Sequence, residues 1–400
     1  MVKITDVKTF MTCPYDVNLV VVKVETNQPG LFGLGCATFT QRCKAVVTVI
    51  NEYIKPLIIG RNAGEIQELW TLMNQNAYWR NGPVVNMAIG GVDLALWDIK
   101  GKMAGMPVYD LLGGKSREGI PVYGYANGDS KEEILDNAEK IWEEGYHYIR
   151  LQIHPFNDEG PIAGDWKPIN AKSGPYIDGK KYIRYMMDLF ESCRIKMGEE
   201  PELIHDVHER LAPTDAIYFA QAAEPIRLYF LEDLFSPDQV AYYRHLRSIC
   251  STPVAQGELC VNPMEWVPLV SERLIDYIRI HITMIGGLTP ALRCAHMCEL
   301  YGVRLAWHGP WDLNPIGHAA QMHIDINCPN LGIQEWSGMN DAEYEIFPGA
   351  PYVKNGFAYI NDMPGFGVEF DEVAAKKFPP KEEIIKWTQL RQRDGSLVLP

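Results

Sequence analysis

No apolar run in this chain approaches the 18 residues that a membrane-spanning helix needs, so no membrane span is expected. The opening stretch "MVKITDVKTFMT" alternates like a strand and lacks the apolar core of a secretion signal. No Cys-x-x-Cys pair occurs. The nine cysteines are scattered and odd in number, which argues against a disulfide framework and for reduced, mostly buried thiols. Basic residues are outnumbered, 37 Lys and Arg against 51 Asp and Glu, for a net charge of −14. No basic stripe offsets this balance, so nucleic-acid binding is not expected. Low-complexity segments and short repeats are also missing. These absences point to a cytoplasmic protein whose acidity serves solubility, with a few charges reserved for a cation.

What is present is ordinary globular chemistry, 47% hydrophobic and 22% charged, over a length that exceeds one domain. The first part reads as α+β. "VNLVVVKVETN" and "LFGLGCATFT" are strands around a turn at Gln28-Pro29-Gly30, and helical patterns follow over 42–56, 63–77 and 84–105, with Gly105 as the stop. From about residue 119 the pattern becomes strand, loop, helix, repeated. Candidate strands are 120–125, 147–153, 202–207, 228–232, 253–257, 277–282, 303–307 and 331–335, with helices such as 131–144 and 213–224 between them. Eight such units predict an α/β fold of (β/α)8-barrel type behind an N-terminal α+β domain. The expected division is 1–118, 119–364 for the barrel, and a charged segment 365–400 that packs back on the N-terminal domain. The Gly/Pro/Asp-rich excess after Arg150, running from His154 to Lys181, predicts a surface insertion, a lid or an oligomer contact.

Three carboxylates give the strongest chemical signal. Asp206, Glu232 and Glu258 follow short apolar runs at steps of 26 residues, the length of one strand, loop and helix. His281, His308 and Glu335 continue at 23, 27 and 27 residues. Side by side in a barrel, the three carboxylates would converge, and unpaired like charges that converge ask for a divalent cation. Oxygen-only ligation favours Mg2+ over zinc.

Other residues join this set. His208 lies two residues past Asp206, on the same face of an extended segment, as a ligand or a general acid/base. Arg150 and Gln152 share a face in the same way, and an arginine there or at Arg279 can hold a substrate carboxylate. The Gly/Pro-bounded loop "AWHGPWDLNP" presents His308 and Asp312, and Glu335 can accept from a sugar hydroxyl. Tyr78 and Trp79 read as domain-interface core, which does not account for the neighbouring Arg80.

"DVH", "LED" and "GEL" on successive strands, after "YWRNGPVVNMAIGGVDLALWDIKGKMAGMPVYDLLGGKSREG", resemble the enolase superfamily, and within it the mannonate dehydratase subgroup that includes the starvation-sensing proteins. The resemblance spans essentially the whole chain. It implies Mg2+ held by Asp206, Glu232 and Glu258, a sugar acid gripped through its carboxylate, and removal of the proton alpha to it. Loss of the 3-hydroxyl, assisted by His208 as acid, then gives a 2-keto-3-deoxy acid. It also implies Arg150 and His308 as catalytic groups, substrate contacts from Gln152, Arg279, Asp312, Glu335 and Arg80, and a homo-oligomer.

Arg150-Leu151-Gln152 stands where other branches of the superfamily carry a Lys-x-Lys base, which favours the mannonate-type branch. The chain also departs from that branch. The family's tyrosine shortly after the strand-2 arginine is missing, and the next is Tyr176. "TFTQR" and "YGYANG" place Thr40 and Tyr125 where the family has Asn and His. Two readings besides a D-mannonate- or D-gluconate-type dehydratase therefore stand: a sugar-acid-binding or regulatory protein with weak or absent turnover, and a sugar-acid racemase or epimerase.

Overall fold

The computed structural model describes residues 1–154, 160–163, 166–382 and 389–399. Parts of the expected insertion, 155–159 and 164–165, and of the expected C-terminal segment, 383–388, lie outside the described residues. The chain forms two compact units. One comprises Met1–Pro121, Leu259–Met264 and the run from Ile280 onward; the other comprises Val122–Glu258, Glu265–Arg279 and the final stretch of the chain.

The first unit begins with an antiparallel meander of β1 (Ile4–Thr12), β2 (Leu19–Thr26) and β3 (Phe32–Cys36). Gly30, at φ 77°, supplies the left-handed residue its expected turn needs. Val20, Val22 and Val24 of β2 join Val92, Leu96 and Ile99 of the helix Pro83–Ala104 in one core. That helix ends on Gly105 at φ 68°, as the sequence predicts. It lies so close to β3 that a Cβ at Gly35 would sit 1.9 Å from the Gly91 carbonyl oxygen. Backbone cannot yield as a side-chain tip does, so Gly35→Ala should destabilise the fold by about 3 kcal/mol or more, read as a lowered urea midpoint.

The expected helix over 42–56 is interrupted. Cys43–Thr48 and Lys55–Ile58 are α-helical, with a π-helical turn over Val49–Ile54 between them. Pro56 gives the physical reason: it has no N–H to donate, and its ring would clash with the carbonyl four residues back in a regular helix. The core expectation for Tyr78 and Trp79 is corrected. They are 78% and 85% exposed, because left-handed Tyr78 (φ 59°) and Asn81 (φ 65°) turn this link outward, and the rings pack edge-on against each other at 5.1 Å.

Asp93, fully buried in this unit, accepts from the Thr289 backbone N–H at 2.9 Å and its hydroxyl at 2.6 Å. Burial outweighs these bonds and raises the carboxyl to about 7. A raised folded-state pKa adds stability below the ordinary value of 3.8 that is lost as pH climbs through about 7. The stability advantage of the native protein over Asp93→Asn should therefore shrink between pH 4 and pH 8, by up to about 4 kcal/mol, in paired denaturant titrations.

The second unit carries β4 (Ile120–Gly128), β5 (Tyr148–Ile153), β6 (Tyr176–Ile177), β7 (Glu202–Asp206), β8 (Phe230–Glu232), β9 (Val254–Gln256) and β10 (Tyr277–Ile278). β4, β5, β7, β8, β9 and β10 run side by side and parallel; β4 runs three residues past its expected end at 125, and the others fall within their expected ranges. Their connections are helices with readable starts. Ser130 caps Lys131–Glu143, Asp178 caps Gly179–Met197, and Pro213 opens Pro213–Ala222.

Later strands are β11 (Arg304–Leu305), β12 (Gln334–Glu335), β13 (Tyr352–Lys354), β14 (Phe357–Tyr359) and β15 (Arg391–Gln392). The β13–β14 hairpin turns on Asn355-Gly356, both left-handed, and its strands are too short to show an alternating pattern. Near the C-terminus, the Phe378 carbonyl accepts from the Thr12 hydroxyl and Glu372 pairs with Lys23, whereas β15 pairs with β6. All nine cysteines are buried thiols. Among the described residues, no helix is long and apolar enough to cross a membrane.

Candidate active site

Parallel register delivers the first two carboxylates. Asp206 ends β7, Glu232 ends β8, and the two are Cα partners across the ladder, both fully buried. Glu258 follows two residues after β9, beyond left-handed Gly257. Ligand atoms of Asp206, His208 and Glu258 lie within 4.8 Å of one another, as do those of Asp206, Glu232 and Asp233.

The expectation that alternation brings His208 to Asp206 is corrected. The strand ends at Asp206, and His208 (φ 51°) and Glu209 (φ 54°) are left-handed. This turn folds the imidazole back. The His208 N–H donates to Asp206 Oδ1 at 2.9 Å, and Nε2 lies 2.7 Å from Oδ2 and 4.0 Å from Glu258 Oε1. Asp233, after β8, is also left-handed at φ 45°. Each such residue costs about 1–3 kcal/mol, and such strain concentrates at functional sites.

Two arginines face the carboxylates. Arg150 Nη1 bridges Asp206 Oδ2 at 3.2 Å and Glu232 Oε1 at 3.3 Å. Arg279, fully buried, reaches Glu232 Oε1 at 3.1 Å and Glu258 Oε2 at 4.0 Å, and donates to the Tyr123 hydroxyl at 3.0 Å. Burial alone would push Asp206 up, but His208 and Arg150 outweigh it and hold the carboxyl well below its usual range. Burial likewise opposes Asp206 at His208 and prevails, lowering the imidazole to about 4. Asp233 is driven well above its usual value by burial and by the charge of Asp206. These buried, converging oxygen donors have the chemistry a hard divalent cation requires.

Gln152 is buried and donates from Nε2 to the Asp206 carbonyl at 3.2 Å, tying β5 to the end of β7. Tyr176 is also buried, and its hydroxyl donates to the Lys172 carbonyl at 3.0 Å. Asp233 and the buried Arg210 had gone unread in the sequence. Asp233 adjoins Glu232 and would point the opposite way in an extended strand; only the left-handed turn reveals it.

The first unit holds its own polar cluster. His308 Nδ1 lies 2.9 Å from Glu335 Oε2, which also accepts from the Gly309 N–H at 2.8 Å. The His308 carbonyl is fixed by Gln321 Nε2 at 2.7 Å. Asp312 is buried, which raises its carboxyl, and it accepts from the Thr40 hydroxyl. The His281 ring stands 5.8 Å from that of His308. Arg80 is exposed.

Comparison with known proteins agrees with this architecture. The family model "Mandelate racemase / muconate lactonizing enzyme, N-terminal domain" matches residues 2–113, and "Enolase C-terminal domain-like" matches residues 133–374. The fold is thus that of the enolase superfamily, an N-terminal capping domain with a C-terminal barrel-type domain. A D-galactonate dehydratase family member of Enterocloster bolteae is 49% identical over 401 residues, covering 100% of this chain and 99% of the relative. The family member RspA of Pantoea ananatis is 48% identical, with 99% of each chain covered. A crystal structure of an enolase from Pantoea ananatis with bound D-gluconate and Mg superposes with a TM-score of 0.98 at 47% identity, covering 100% of both chains. An enolase-superfamily member from Salmonella Typhimurium gives 0.83 at 25% identity, covering 95% of this chain and 99% of that one. The chain belongs to the D-galactonate dehydratase family of the enolase superfamily and is an enzyme of the acid-sugar-dehydratase type.

Proposed function

We propose that this protein is a Mg2+-dependent dehydratase of D-mannonate- or D-gluconate-like sugar acids. The observation that carries the reading is the in-register pair Asp206 and Glu232, with Asp206 shared between two ligand groups, one with Glu232 and Asp233 and one with Glu258 and His208. Asp206, Glu232 and Glu258 would hold the ion. Mg2+, when bound, supplies a positive centre for the substrate carboxylate and for the charge that grows on it.

The chain's own groups do the rest. Arg150, beside Asp206 and Glu232, places a permanent cation where the enediolate forms after the alpha proton leaves. His208 is neutral at neutral pH because burial lowers it to about 4. The negative charge of an enediolate nearby favours its protonated form, which can then pass a proton to the departing 3-hydroxyl. Gln152 and Arg279 are buried, and we assign them to holding the carboxylate platform in place. His308, oriented by Glu335, is proposed as a second acid–base group, with Asp312, Glu335 and Arg80 as substrate contacts. The relative crystallised with D-gluconate and Mg supports the substrate class. We propose a cytoplasmic homo-oligomer as the working form; the exposed Tyr78 and Trp79 support a contact between copies.

The test is to incubate the purified protein with D-gluconate, D-mannonate and D-galactonate and assay for 2-keto-3-deoxy acid. Product should require Mg2+ and vanish with EDTA. Turnover unaffected by EDTA would contradict the reading.

A further inference from the structure

The proposed dehydration needs a base for the alpha proton, and the C-terminal end of β5 offers none: Arg150 stays protonated, position 152 is an amide, and Tyr148 lies at the other end of the strand with its ring against Tyr229 at 4.8 Å. The Tyr176 hydroxyl is engaged at Lys172. The neighbouring strand is more promising. Tyr123 and Tyr125, two residues apart on β4, project from the same face, and each meets an arginine. Tyr123 is fully buried, its hydroxyl bonded by Arg279. Tyr125 is half-buried and is the Cα partner of Arg150 in the β4–β5 ladder. The Arg150 guanidinium carbon lies 4.2 Å from the centre of the Tyr125 ring. The same guanidinium bonds Asp206 and Glu232, so Tyr125 stands one side chain away from the carboxylate platform.

We propose that Tyr125, paired with Arg150, is the base that removes the alpha proton; this assignment rests on the dehydratase reading above. A guanidinium against the ring stabilises the phenolate by charge. The phenolate oxygen takes the alpha hydrogen as a proton, and the C–H electron pair moves into the C1–C2 bond to form the enediolate. That pair then forms the C2–C3 double bond and expels the 3-hydroxyl, which leaves as water with a proton from His208. The enol product tautomerises to the 2-keto-3-deoxy acid, Tyr125 returns its proton to solvent, and His208 regains one from solvent. The net change is loss of one water.

Tyr125→Phe keeps the ring against Arg150 and removes only the oxygen. The full chain with Mg2+ is incubated with D-gluconate or D-mannonate in D2O, and NMR follows deuterium entry at the alpha carbon separately from dehydration. Both rates should fall by at least about 10²-fold, while D-gluconate affinity by calorimetry is unchanged. Tyr125→His, which restores a base, should exchange faster than Tyr125→Phe. Exchange at the native rate in Tyr125→Phe would overturn the assignment. So would equal rates in the two variants, or a loss of affinity that accounts for the whole defect, which would make Tyr125 a support for Arg150. A native protein that neither exchanges nor dehydrates would overturn the dehydratase reading and the base with it.

Discussion

Glu232→Gln is expected to lower kcat by on the order of 10³-fold or more, equivalent to about 4 kcal/mol of transition-state stabilisation. Glu232 is the carboxylate on which both arginines meet, Arg150 Nη1 at 3.3 Å and Arg279 Nη2 at 3.1 Å. The substitution keeps shape and one acceptor oxygen but removes a proposed charged ligand. Mg2+ affinity should fall with activity. Fold should persist, because the amide oxygen can still accept from the guanidinium groups. Calorimetric Mg2+ titration, with circular dichroism as the control, checks both halves. Unchanged Mg2+ affinity would remove Glu232 from the ligand set.

His208→Asn should separate the two halves of the reaction. The imidazole is held 2.7 Å from Asp206 by a left-handed turn, and it is the group proposed to deliver a proton to the leaving hydroxyl. Dehydration should drop by about 10²–10⁴-fold, the usual weight of a positioned acid. Entry of solvent deuterium at the alpha carbon should continue, because proton removal precedes departure of the hydroxyl. Loss of exchange in equal measure would show that His208 serves the first step as well.

Much of this platform was legible in the sequence because strand periodicity fixes both position and facing. Asp206 and Glu232 end consecutive parallel strands in register, so their 26-residue step maps directly onto a shared level. The π-helical turn before Pro56 and the outward Tyr78–Trp79 pair were not legible, because both depend on local backbone angles that hydrophobic spacing does not encode. Asp233 was hidden for the same reason. The Asn355-Gly356 pair is a turn signal in the sequence, but strands of only three residues each give it no flanking alternation. The residue type of Arg279 suggests a substrate contact, but its complete burial and its approach to Glu232 at 3.1 Å are not visible in the sequence. Charge type is visible in a sequence, whereas burial is not.

The most direct test of the central claim is an NMR time course of the native protein with Mg2+ and D-gluconate or D-mannonate in D2O. The account predicts conversion to a 2-keto-3-deoxy acid that stops when Mg2+ is chelated. Both sugar acids remaining intact and without deuterium at the alpha carbon, at high enzyme concentration and saturating Mg2+, would contradict it.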